Sequence, residues 1–265
     1  MSATVERGAG PTLALMSGFE LWHREEPVAL PMSAQRLLAF LALHSRPVMR
    51  LYAAGSLWLE ASEERANASL RSTLWRLRRP GCPLVSVSPT HVGIAPEVRV
   101  DFRAVTATAH RLLEGDATPR RRDLHEMRTA GELLPDWYDD WIVLERERFR
   151  QLRLYALEEL CRRMTAQARY GEAVEAGLAA IDAEPLRESA HRAVIAFHLA
   201  EGTLAEALRQ YEVYRAIARC RLGIEPSAEL RATVAAALGG ELGSRRATDT
   251  HAARTTLARA TAGVA

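Results

Sequence analysis

Apolar and polar positions change period along the chain, and the changes predict its elements. Leu13–Met16 and Phe19–Trp22 flank Ser17-Gly18, the pattern of a hairpin around a Ser-Gly turn, with Val28–Leu30 as a third strand. From Ser33, read as a helix cap, the period becomes helical, with Leu37, Leu38, Leu41 and Ala42 on one face. A second helix is expected over Leu51–Leu59, burying Leu51, Ala54, Leu57 and Trp58. A third runs from Ser62 to Arg79. Its apolar stripe is Ala66, Leu70, Leu74 and Leu77, Glu63 and Glu64 sit in the first turn where the helix dipole favours anions, and Pro80-Gly81 ends it. Leu84–Ser88 and His91–Ala95 then alternate as strands around Pro89-Thr90, a second hairpin.

Beyond Asp101 the period is almost wholly helical. Helices are expected over 101–115, 120–133, 137–168, 171–183, 187–200, 203–221 and 226–238. Tyr170-Gly171-Glu172-Ala173 and Leu204-Ala205-Glu206-Ala207 match at an offset of 34 residues, the helix-turn-helix period of tetratricopeptide arrays. Two such units are too few for a solenoid, so flanking helices must cap them. The fold class is therefore mainly α: a small sheet, three helices and a hairpin at the N-terminus, then a tetratricopeptide-like all-helical domain. The expected division is a flexible arm over 1–11, domains over 12–100 and 101–238, and a disordered Gly, Ala, Ser, Thr and Arg-rich tail over 239–265.

Composition removes several functions. The chain has 265 residues, 48% of them hydrophobic and 26% charged, the balance of a globular protein. All 35 basic positions are arginine. Without lysine there is no complete phosphate-binding P-loop, no Schiff-base amine and no kinase lysine. Neither GxSxG nor GxGxxG occurs, so an enzyme is not expected. Cys82, Cys161 and Cys220 form no CxxC pair, which argues against a disulfide framework or a cysteine zinc site. His191 and His198 lie seven apart on one helix, and His125-Glu126 lacks the second histidine of a zinc helix, so these read as surface or half-buried histidines. Glu158-Glu159 and Asp139-Asp140 read as solvated faces, and Trp137 and Trp141 as core anchors. No cofactor or metal is expected. No apolar run is long enough to span a bilayer, and the N-terminus has no long apolar stretch, so a cytoplasmic location is expected.

Charge is uneven. Residues 1–100 hold 11 Arg against 8 acidic residues, whereas 101–240 hold 20 Arg against 23. The basic front suggests an anionic partner. An α-helix fits the major groove of DNA, and the polar side of the third helix carries Arg71, Ser72, Trp75, Arg76, Arg78 and Arg79. Ser69, Ser72 and Thr73 are candidate phosphate donors, and Arg50 with the hairpin tip, Ser88, Thr90 and His91, is expected to hold the backbone. A plain amphipathic helix with a solvated basic face is the competing reading of the same residues.

One family carries these features together. Arg36-Leu37-Leu38-Ala39-Phe40-Leu41-Ala42, Arg46-Pro47-Val48-Met49-Arg50, Leu57-Trp58, Arg65 to Arg71, and Leu74 to Arg79 resemble the OmpR-type winged helix of the Streptomyces antibiotic regulatory proteins, a resemblance spanning 35–101. Gly131 to Trp137, Trp141-Ile142, Glu145-Arg146, Pro185 to Glu188, Gly202, Glu206-Ala207-Leu208 and Gly223 to Pro226 resemble that family's bacterial transcriptional activator domain over 101–238. Two positions depart from the pattern: His91-Val92-Gly93-Ile94 replaces the usual Gly-Tyr of the wing, and Met49 stands where Ser or Thr is frequent. The resemblance is to the small, stand-alone members. It implies a sequence-specific activator that binds promoter repeats in double-stranded DNA side by side and recruits RNA polymerase through its sigma factor and other subunits, often at secondary-metabolite gene clusters such as those for antibiotic biosynthesis. The alternative is a helical-repeat scaffold that binds a protein or small ligand, with a winged helix that does not touch DNA.

Overall fold

Strand β1 (Thr12–Ala14) turns at Ser17-Gly18, both with positive φ, into antiparallel β2 (Glu20–His23), with Thr12 opposite Trp22 and Leu13 opposite Leu21. This is a computed structural model, and it describes residues 10–78, 81–115 and 118–239. Most of the expected arm, Arg79 and nearly all of the expected tail lie outside the described residues. The third strand, β3, is Glu26–Pro27 and not Val28–Leu30. The chain reverses early because Arg24 and Glu25 both adopt left-handed conformations, the geometry of a two-residue hairpin turn. Pro27 lies on the edge of the sheet, where its missing N–H costs no ladder bond.

Helices α1 (Met32–Leu43), α2 (Arg50–Leu57) and α3 (Glu63–Arg76) follow. Ser33 does not cap α1. The helix starts two residues earlier than such a cap would place it, Pro31 is the cap residue, and its carbonyl accepts the N–H groups of Ala34 and Gln35. In α2 the buried residues are Ala53, Ala54 and Leu57. Leu51 is half exposed and Trp58 lies past the helix end. A three-stranded sheet, in the order β4-β6-β5, joins β4 (Val48–Met49) to the expected hairpin of β5 (Val85–Val87) and β6 (His91–Ile94). A Cβ at Gly93 would stand 3.1–3.2 Å from the Pro47 ring, so this close approach of β6 to the chain entering β4 favours glycine. Finally β7 (Arg99–Val100) pairs parallel to β1, giving the order β3-β2-β1-β7. Three helices, a hairpin and two small sheets make the N-terminal part a winged helix-turn-helix. Its core includes Leu13, Leu37, Leu38, Phe40, Leu41, Leu70, Leu77, Leu84 and Val92.

The remaining elements are α4 (Asp101–Glu114), α5 (Arg121–Thr129), α6 (Asp140–Ala166), α7 (Tyr170–Ala183), α8 (Glu188–Glu201), α9 (Leu204–Leu222) and α10, over 228–239. Two compact units divide between Ala156 and Leu157, within α6. In the first, the Asp101 carboxylate accepts the N–H groups of Leu15 (2.9 Å), Met16 (3.1 Å) and Phe102 (2.6 Å). Burial raises its pKa and these backbone donors oppose the rise. Residues 131–134 also return to the first sheet: Met16 bridges Leu133, and Leu134 N–H donates to Leu15 O. The Arg103 guanidinium gathers the carbonyls of Leu41, Ala42 and His44 at the end of α1. Arg146 does the same for Leu133, Leu134 and Trp137. Trp137 and Trp141 meet edge-on, Trp137 stacks on Phe19, and Trp141 packs against Phe40 at 5.4 Å.

In the second unit α7 and α9 begin 34 residues apart, at Tyr170 and Leu204, as the repeat predicts. Successive helices α7, α8 and α9 pack as neighbours. Ile195, Ala207, Tyr214, Ala218, Leu230 and Val234 form one apolar cluster there. Gly177 is needed for the packing, since a Cβ would meet Val194 at 2.5 Å and Cys161 Sγ at 3.1 Å.

Candidate nucleic-acid interface

The local sequence of α3 decides which face it hides. Ser62 Oγ accepts the Arg65 N–H at 3.4 Å, and Glu63 and Glu64 lie in the first turn. Ala66, Leu70, Leu74 and Leu77 are buried, as their spacing predicts. The opposite face is thereby turned to solvent. Arg71, Ser72, Trp75, Arg76 and Arg78 are exposed, Trp75 to 73%. None of these three arginines has an ion-pair partner among the described residues. Thr73 does not belong to this face. It is 2% exposed, and its hydroxyl donates to Ser69 O at 2.8 Å, so it offers nothing to a phosphate. Ser69 itself is half-buried.

The hairpin tip is an ordered turn. Ser88 N–H donates to His91 O, and His91 N–H donates to Ser88 Oγ, both at 2.9 Å. Thr90 Oγ1 lies 2.9 Å from His91 Nδ1. Arg50 ties this tip to the start of α2: its backbone N–H donates to Thr90 O at 2.9 Å and Nη1 reaches Ser88 O at 3.5 Å. So Arg50, Ser88, Thr90 and His91, distant in sequence, form one cluster. Between α3 and β5 runs an open groove of about 570 Å³. Arg50, Arg71, Trp75 and Arg78 line it, whereas Ser72 and Arg76 do not. Sequence reasoning missed the apolar part of this groove, Leu84, Val85 and Val87. The signal was there: apolar residues fall on both faces of that alternating strand, so one face had to remain outside the core.

Elsewhere the titratable residues are committed to structure. His191 is fully buried. Nε2–H donates to Pro185 O (3.0 Å) and Nδ1 accepts from Gln210 (2.7 Å), a satisfied neutral ring whose pKa burial lowers. His198 Nδ1 contacts Thr203 Oγ1 at 3.0 Å. Glu158 holds Arg187 at 2.6 Å, and Asp139 pairs with Arg36. No group of three metal-ligating side chains occurs among the described residues, and none of their helices is long and apolar enough to cross a membrane.

Residues 100–238, just over half of the chain, match the family model described as "Bacterial transcriptional activator domain". The structure is similar to that of "Mycobacterium tuberculosis EmbR in complex with low affinity phosphopeptide", with a TM-score of 0.66 and 20% sequence identity. That similarity covers 87% of this chain and 65% of the other, so this chain spans less than two thirds of its length. At that identity the likeness shows a shared fold. No curated protein sequence matches the chain.

Proposed function

Because the chain belongs to the bacterial transcriptional activator domain family, we propose that it is a sequence-specific DNA-binding activator whose helix α3 enters the major groove. One observation carries this reading: Arg71 and Arg76 on α3, and Arg78 just past its end at Arg76 rather than within a helix reaching Arg79, stand exposed with no carboxylate among the described residues to neutralise them. A guanidinium reads guanine O6 and N7 bidentately, and an α-helix is the element that brings it there. Trp75 supplies an apolar surface to base edges on the same face, Ser69 and Ser72 complete the set along the helix, and Arg79, outside the described residues, is a further candidate from the sequence. Arg50 with Ser88, Thr90 and His91 forms a second point of attachment, aimed at the sugar-phosphate backbone. In this reading residues 12–100 bind the duplex and residues 101–238 make protein contacts. The resemblance extends it to side-by-side self-association on promoter repeats, to recruitment of RNA polymerase through its sigma factor, and to a cytoplasmic role at a secondary-metabolite gene cluster.

Gel shifts on promoter fragments from the genes around its own test the reading. Truncating one base-reading arginine costs about 1–3 kcal/mol. The double variant R71A/R76A should therefore lose most sequence-specific binding, and wild-type affinity should fall steeply as salt rises. Unchanged binding by R71A/R76A removes α3 from the interface. A chain that retains no DNA while capturing protein partners is the helical-repeat scaffold instead.

A further inference from the structure

The groove beside α3 has a chemistry that a duplex does not use. Its accessible apolar surface comes from Trp75, Pro83, Val85 and Val87, set over the buried Leu77 and Leu84. Its rim carries Arg50, Arg71 and Arg78, and no acidic side chain lines it among the described residues. Its volume, about 570 Å³, lies within the range of small-molecule sites. The outer edge of a DNA duplex is polar sugar and phosphate. It satisfies the rim arginines and gains nothing from the valines and proline between them. An occupant that satisfies both needs an apolar body below and an anionic head at the rim.

We propose that this groove binds a small organic anion with a ring body of two or three fused or linked rings. The ring stacks on the Trp75 indole and covers Pro83, Val85 and Val87. The anionic group accepts charge-assisted hydrogen bonds from Arg71 and Arg78. The site itself rests on the groove alone. Only its consequence, competition between this ligand and a duplex for Arg71 and Arg78, rests on the proposed DNA reading.

Two dyes with the same skeleton test it: 1-anilinonaphthalene-8-sulfonate, an anion, and N-phenyl-1-naphthylamine, its neutral counterpart. Both are titrated by fluorescence into the full-length chain without DNA. The anionic dye should bind one site at least roughly tenfold more tightly than the neutral one, the scale of a hydrogen bond to a charged group. R71Q/R78Q should erase that preference while leaving the neutral dye within about twofold, because the surface change touches only the head group. V85W, which fills the groove, should lose both dyes with an unchanged far-ultraviolet circular dichroism spectrum. An anionic dye that binds no better than the neutral one, or equally well to R71Q/R78Q, overturns the proposal, even if V85W fails to fold. A chain that binds the anionic dye as described but no duplex leaves the site standing and removes the DNA reading. Where gel shifts do show a complex, adding that duplex should release the dye, and retention of the dye overturns the competition.

Discussion

Arginines do opposite things in α3 and in the long helices of the activator domain. Along α6 and α9 an arginine follows a glutamate by three residues and pairs with it: Arg148 with Glu145 at 2.5 Å, Arg150 with Glu147 at 2.8 Å, Arg162 with Glu159 at 2.5 Å, and Arg209 with Glu206 at 3.8 Å. In α3 the residues three and four before Arg71 are Ala68 and Asn67, and those before Arg76 are Thr73 and Ser72; just past its end, those before Arg78 are Trp75 and Leu74. No acid stands where a helix would bring it alongside. The glutamates of α3 are confined to its first turn. The two regions share a residue type and a secondary structure. The spacing of carboxylates decides whether a guanidinium is spent within the helix or left for an outside anion. Arg103 and Arg146 show a third use, in which the guanidinium gathers backbone carbonyls at the end of an element.

Substitutions can break or sharpen this contrast. The largest effect on stability is expected where the arginine is structural. R103A strips three carbonyls at the end of α1 of their donor and should cost about 2–3 kcal/mol in urea unfolding. Next, A68E places a carboxylate three residues before Arg71, imposing the pattern of α6 on α3. It should weaken promoter binding roughly tenfold in gel shifts, with stability almost unchanged. Equal affinity would show that an unneutralised Arg71 is irrelevant to binding. A smaller effect comes from His191, the buried ring of the second unit. An unfolded chain takes up a proton there near pH 6.5, whereas burial holds the native ring neutral to lower pH. The unfolded state thus binds the extra proton in that window. Stability should fall as pH drops below about 6.5 and level off once the native ring is protonated, and H191Q should flatten this slope in thermal melts at pH 5 to 8. The smallest effect is expected in α6, where E147Q removes an exposed partner of Arg150. It should change stability by less than about 1 kcal/mol and leave promoter affinity untouched.

What was legible in the sequence follows from the length of each pattern. The stripe of α3 from Ala66 to Leu77 repeats over about three turns, and the start of α9 repeats that of α7, so both emerge from periodicity. β4 and β7 have two residues each and no period to read. Their existence depends on partners, Val92 for Val48 and Thr12 for Arg99, far away in sequence. The turn at Arg24-Glu25 carries none of the Asn or Gly that marks such turns. At the candidate interface, the exposed arginines could be placed on one face by helical spacing. The same spacing removes Thr73 from it, three residues after Leu70 and four before Leu77 on the buried stripe, and the fold adds that its hydroxyl is bound to Ser69. The clustering of Arg50 with the hairpin tip is a long-range contact like those of β4 and β7.

The Asp101 carboxylate bears on how this molecule should be cut for study. It lies one residue beyond the expected end of the DNA-binding part, yet it holds the N–H groups of Leu15 and Met16 at the exit of β1. Arg103, Leu133 and Leu134 reach back into the same part from still later in the chain. A fragment that stops at Val100 leaves these donors and carbonyls to water and uncovers the sheet, whereas one continued to Ala156 keeps them. Expression of the isolated N-terminal domain should therefore carry the first helices of its neighbour as part of its own scaffold.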